Sequence, residues 1–170
     1  MADKKRFSDI EVIEALRVWW SDLDQDRGGR ARLRRSRSLL EVAFCPAFHG
    51  LRLALKPLGD FSNESMAAVA GVLAHVEGDD QGVPTAARMA RPKEGSDTSR
   101  VSGLRFRRLL AAPDRHALFP QLVRVLGLLD HRADLGDLAR LVYFWGPNVR
   151  KDMALKYYDA APDKKDFSKP

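Results

Sequence analysis

The chain has 170 residues, 45% of them hydrophobic and 31% charged, which suits one domain or two small lobes sharing a core. It has no apolar run of about 18 residues and no apolar stretch following Met1 to Phe7, so neither a transmembrane helix nor a signal peptide is expected. A single cysteine, Cys45, leaves no internal disulfide and no thiolate zinc site and fits a reducing cytoplasm, while a net charge of +6 and a pI near 9.7 point to an anionic partner.

The first helix is expected to start near Ser8, where Ser8 as N-cap and Glu11 three residues later form a capping box. Val12, Leu16, Trp19 and Leu23 follow at helical spacing, Trp20 widens the stripe, and Gly28-Gly29 breaks the helix after Asp26. A second helix is expected over about Arg30 to Phe44, with Leu33, Leu40 and Phe44 on one side. Pro46 starts a shorter apolar helix through Phe48, Leu51 and Leu55. The next runs from Asn63 to about Val76, rich in Ala and Val, with Met66, Val69, Leu73 and Val76 inward. A short helical piece around Ala86 to Ala90 interrupts a loop over about 78–99, whose stretch Arg91 to Ser99 mixes Pro, Lys, Gly, Ser and Asp.

Ser102 is the expected N-cap of a helix carrying Leu104, Phe106, Leu109 and Leu110, which Pro113-Asp114 interrupts. Leu118, Leu122, Val125, Leu126 and Leu129 mark another helix. Asp134 caps one with Leu135, Leu138, Val142 and Trp145 on one face. Gly146-Pro147 then stops one helix and starts the last, which carries Val149, Met153 and Tyr157. No alternating strand pattern shows. The expected fold is therefore all-α, a compact bundle of about eight helices in two packed lobes. The N-terminal lobe spans about 1–77 and the C-terminal lobe about 100–160, followed by a charged tail over 161–170.

The positive charge is clustered. Arg27 to Lys56 holds eight basic residues against Glu41, and Arg88 to Arg115 holds eight against Glu94, Asp97 and Asp114. Arginine outnumbers lysine, and its planar fork suits phosphate oxygens and base faces better than an ammonium does. On the expected second helix, Arg30, Arg34 and Arg37 fall three or four apart with Arg35 beside them. Like charges so placed repel by a few tenths of a kcal/mol per pair, so an external anion would relieve the ridge. Two blocks distant in sequence suggest one basic surface assembled by folding. Two solvated helix faces remain the plainer alternative.

Other chemistry finds little support. His49, His75, His116 and His131 lie far apart with no metal-ligand spacing. Asp22, Asp24 and Asp26 resemble the start of a calcium loop, but its glycine and glutamate positions hold Arg27 and Leu33. Cys45, between Phe44 and Pro46, reads as a core thiol. Gly28-Gly29 lacks the lysine and strand of a phosphate loop. Trp19, Trp20, Trp145, Tyr157 and Tyr158 could stack bases, but at helical spacing such residues more often fill a core. No catalytic residue, metal or cofactor is expected.

Arg30-Ala31-Arg32-Leu33-Arg34-Arg35, followed by Pro46-Ala47-Phe48, resembles the N-terminal signature of the CasB family, the small subunit of the type I-E CRISPR surveillance complex, Cascade. The run Val101 to Leu110, the Leu/Arg helix from Leu122 to Leu129, Leu138-Ala139, Trp145 and Lys156-Tyr157-Tyr158 are similar to that family in order and spacing. The resemblance covers about 30–56 and 100–158; Gly146 to Val149 and Met153 depart from it. It implies an all-helical, non-catalytic, cytoplasmic protein, present in two copies beside the backbone and large subunits. It also implies contacts to single-stranded DNA, especially the displaced strand, and to the backbone of the crRNA–DNA hybrid. The residues it implies for phosphate contacts are Arg30, Arg34, Arg35 and Arg37, then Arg105, Arg107 and Arg108, then Arg124, and finally Arg150 and Lys151. The competing readings are a helix-turn-helix regulator built on Leu118 to Trp145, a small metal-dependent nuclease, and a scaffold whose arginines meet acidic protein.

Overall fold

A computed structural model describes residues 4–162, so most of the expected charged tail lies outside the described residues. Among them are ten helices and one pair of two-residue strands, and the all-α expectation holds. No helix of the described residues is long and apolar enough to cross a membrane.

Helix α1 spans Ile10–Asp22 and buries Val12, Ile13, Leu16 and Trp19. Its N-cap is Asp9 rather than Ser8, and no capping box forms. The Asp9 carboxylate turns back to accept the Arg6 amide at 2.8 Å. Glu11 is drawn to Lys5 at 2.7 Å, and that hydrogen bond holds its carboxyl below the usual carboxylate range. Asp9 is thus turned to the Arg6 amide and Glu11 to Lys5, and neither closes a capping box.

The expected Arg30–Phe44 helix is two. Helix α2 spans Arg27–Arg35 and α3 spans Leu39–Ala43. Gly28 and Gly29 form the first turn of α2 instead of a break, because the Asp26 carboxylate accepts the Gly29 amide at 2.9 Å. A Cβ on Gly29 would stand 2.1 Å from that carboxylate, so the cap requires glycine there. Ser36 leaves the helix in extended backbone and Ser38 caps α3 through the Glu41 amide. This break resets the helical phase. Leu39 and Val42 turn inward, whereas Leu40 and Phe44, expected beside Leu33, are 64% and 73% exposed.

Helix α4 (Pro46–Leu55) begins with proline in its first turn and buries Phe48, Leu51 and Leu55. Helix α5 (Asn63–Leu73) is buried on every side from Ser65 onward, as a helix apolar all round must be, and packs against α3, α4, α8 and α9.

Strand β1 (Gly78–Asp79) pairs in parallel with β2 (Arg132–Ala133). Two residues are too few for an alternating pattern to appear in sequence. Asp130 and His131, both at φ 56°, turn the chain into β2. The strain of two left-handed residues is held by Lys93 and Arg100 on the Asp130 carboxylate and by the His131 imidazole, which donates to the His75 carbonyl at 3.0 Å. Beside the strands, Asp79 accepts from Arg17 at 2.8 Å, and Asp80 pairs with Arg88 at 2.6 Å and with Arg132. The Arg132 hydrogen bond keeps the Asp80 carboxyl below its ordinary range against the opposing effect of burial.

Within the segment expected as a loop, α6 (Thr85–Ala90) is buried along most of its length and packs against α10. Its alanines suit a close approach that carries little periodic signal. Helices α7 (Gly103–Leu110), α8 (Arg115–Leu128) and α9 (Leu135–Tyr143) begin at the side-chain caps Ser102, Asp114 and Asp134, and α10 (Pro147–Ala160) follows Gly146. Residues of both chain halves join one hydrophobic cluster.

Candidate nucleic-acid interface

The arginines singled out from sequence fall into three structural situations. Arg30 is spent inside the fold. It donates to the Ala74 and Val76 carbonyls at the end of α5, pairs with Asp24, and lies 5.8 Å over the Trp20 ring. Those carbonyls lack helical partners, so the guanidinium caps α5. Arg34 is partly spent in the same way, donating to Ala74 at 2.7 Å and to Glu77 at 3.1 Å. Arg150 donates to the Pro113 carbonyl at 3.3 Å and lies 5.3 Å over Trp145.

The side chains of Arg35, Arg37, Arg105, Arg108, Arg124 and Lys151 are exposed and have no ion pair or hydrogen bond among the described residues; Arg107 is half-buried and likewise unpaired. Most of these converge. Arg105 and Arg108 on α7 face Gln121 and Arg124 on α8 across a cleft of about 320 Å³ floored by Leu109, Val125 and Leu128. A second cleft, about 730 Å³, lies between Arg34, Arg35 and Arg37 at the α2–α3 break and Phe119, Pro120, Val123 and Arg124 on α8. Arg124 lines both clefts, and neither is lined by an acidic residue. The break at Ser36 matters here, because it carries Arg37 away from the helical ridge and toward α8. Gly71 permits the close packing behind this wall, since a Cβ there would meet the Phe119 ring at 2.7 Å. Arg30, Arg107, Arg150 and Lys151 line neither cleft.

His75, which the sequence did not mark as a site residue, also lines the larger cleft. Its Nε2 is buried without a partner among the described residues. Burial pushes its imidazole down to about 4, and the positive charges of Arg34 and His131 act in the same direction. Above the ordinary histidine value of 6.5 both folded and unfolded chains hold a neutral ring. As pH falls from 6.5 to about 4 only the unfolded chain takes up this proton, so stability declines in that window. Partial exposure screens the effect to about 1 kcal/mol. Urea midpoints measured against pH should lose this limb in His75→Gln; a limb of the same depth in the variant would refute the assignment.

Trp19, Trp20, Trp145 and Tyr157, weighed above as base-stacking residues, are committed to the fold. The indole N–H groups of Trp19, Trp20 and Trp145 donate to the carbonyls of Ala47, Val76 and Ala112, and the Tyr157 hydroxyl donates to Val101 at 2.6 Å. The acidic run is divided, with Asp24 on Arg30 and Asp26 capping α2. Cys45 is buried, its thiol 3.4 Å from the Glu41 carbonyl. Among the described residues no group of three His, Cys, Asp or Glu side chains could hold a metal ion.

Fold and clefts together define a small all-helical protein whose described residues include two adjoining clefts lined by arginines and by no acidic side chain. Residues 29–158 match the family model of CRISPR-associated protein Cse2, continuously through the region 57–99 that the resemblance of individual motifs did not cover. The chain belongs to the Cse2 family, the CasB small-subunit family of type I-E Cascade. It is similar in fold to a chain in the crystal structure of E. coli Cascade bound to a PAM-containing dsDNA target. That likeness has a TM-score of 0.68 at 23% identity and covers 89% of this chain and 97% of that one. No curated protein sequence matches this chain.

Proposed function

We propose that this type I-E Cascade subunit is non-catalytic and binds nucleic-acid backbone in the two clefts, stabilising the displaced strand of opened target DNA. The observation that carries this reading is the meeting of unpaired guanidiniums from two distant sequence blocks on the shared wall of α8. Opening a duplex against a guide RNA is a near-balanced exchange of base pairs, so a few contacts to the displaced strand tip it. Phosphate contacts are indifferent to sequence, as suits a complex in which the guide reads sequence. Of the residues that the resemblance implies, Arg34, Arg35, Arg37, Arg105, Arg108 and Arg124 are retained in this role. Arg30 and Arg150 are assigned to the fold, and Arg107 and Lys151 to peripheral contacts. Exposed Leu40 and Phe44, four residues apart, suit contacts with the other Cascade subunits or a second copy of the chain.

A regulator that inserts α9 into the major groove is disfavoured, because Leu135, Gly136, Leu138, Ala139, Leu141 and Val142 of that helix are buried. Fluorescence anisotropy with two unrelated single-stranded DNAs, each at two salt concentrations, tests the proposal. Equal affinities are expected, with a logarithmic salt slope near −3.5 for about five phosphate contacts. A preference between the DNAs, or no binding at low salt, would overturn it.

A further inference from the structure

We infer that the smaller cleft, between α7 and α8, seats an unpaired nucleobase on its floor while its rim arginines hold the adjoining phosphate. This rests on the nucleic-acid reading above and adds what part of the strand the cleft takes. The floor is the first observation. Leu109, Val125 and Leu128 line it, although a groove that only tracked phosphates would gain nothing from apolar side chains. A flat, weakly hydrated base covers such a floor, whereas a phosphate would be desolvated over it.

The rim supplies the second. Arg105, Arg108 and Arg124 surround the floor with no partner among the described residues. A guanidinium stacks on a base face and bonds the adjoining phosphate with the same planar group. Gln121 is the third. Its amide nitrogen donates to the Ala117 carbonyl at 3.2 Å, and since a carbonyl only accepts, the orientation of the amide is settled. The side-chain oxygen is left as an acceptor at the edge of an otherwise cationic cleft. An acceptor repels a phosphate and suits the N–H edge of a base. The volume, about 320 Å³, is at the small end of ligand pockets and admits one nucleotide, not a stacked duplex. A base paired inside a helix cannot reach the floor, so the occupant is a single strand with a splayed base.

The test compares a mixed-sequence single-stranded DNA with an abasic strand of equal length, which has the same phosphates and lacks bases. Anisotropy with the purified protein should show about five- to tenfold weaker binding of the abasic strand. In Gln121→Ala/Leu128→Ser this discrimination should shrink to less than about twofold, because the acceptor is gone and the floor is made partly polar. Circular dichroism checks that the variant folds; should it not, Gln121→Ala alone carries the comparison, with a partial loss expected. Equal affinity of the wild type for both strands, with steep salt dependence, would overturn the base seat and leave the backbone reading standing. Discrimination unaltered in the variants would also overturn it. No binding of either strand would overturn both.

Discussion

Reversing the charge at Arg108 and Arg124 together should weaken single-stranded DNA binding about a hundredfold while leaving thermal stability unaltered. Each guanidinium lost from a phosphate removes a charge-assisted contact worth about 1.5 kcal/mol, and two such losses multiply to about two decades. The salt slope should become shallower by about 1.4, since two fewer counterions are released in part. Stability should hold because neither side chain makes an ion pair or hydrogen bond among the described residues. Arg30→Glu is the contrasting variant. It removes the cap from α5, breaks the pair with Asp24, and places a carboxylate near the Ala74 and Val76 carbonyls. Its main effect should be a lower melting temperature. Equal losses of affinity and of stability in the two variants would show that the division between free and committed arginines is wrong.

Phe106→Ala should destabilise the fold by about 3–5 kcal/mol, a large part of what a small domain possesses. Phe106 is fully buried, stacks on Tyr157 at 3.9 Å and 7°, and meets Tyr158 edge-on at 6.1 Å. The stack ties α7 to α10, and the Tyr157 hydroxyl reaches back to Val101 just ahead of α7. Truncation leaves a cavity and frees the helix that carries Arg105 and Arg108. Urea unfolding should show a lower midpoint with little change in slope, and DNA affinity should fall secondarily. A loss below about 1 kcal/mol would mean that the site collapses without cost and that α7 is held by other contacts.

Helix positions were legible in sequence wherever an apolar stripe and a cap coincided. Ser102 and Asp134 cap their helices through amides three residues on, and Leu118, Leu122, Val125 and Leu126 form the buried stripe of α8, whose cap Asp114 shows in sequence only as part of a break. Legibility failed where local signals competed. Ser8 lost the cap to Asp9, and a phase running through Leu33, Leu40 and Phe44 ignored the extended residue at Ser36. Helix α6 was visible only as a fragment in a loop, because α10, far along the chain, supplies its hydrophobic face.

The candidate site divides along the same line. Composition and clustering established, without coordinates, a net positive charge gathered in two blocks, 27–56 and 88–115. That follows because side-chain charge is a property of the residue itself. Which arginines are free was decided by the tertiary structure alone. Arg30 and Arg124 are equivalent as letters, but long-range packing brings the carbonyls of Ala74 and Val76 to the first and opens clefts on both sides of the second. A guanidinium satisfies whichever acceptors arrive beside it, and those acceptors are set by contacts more than 40 residues away in the chain.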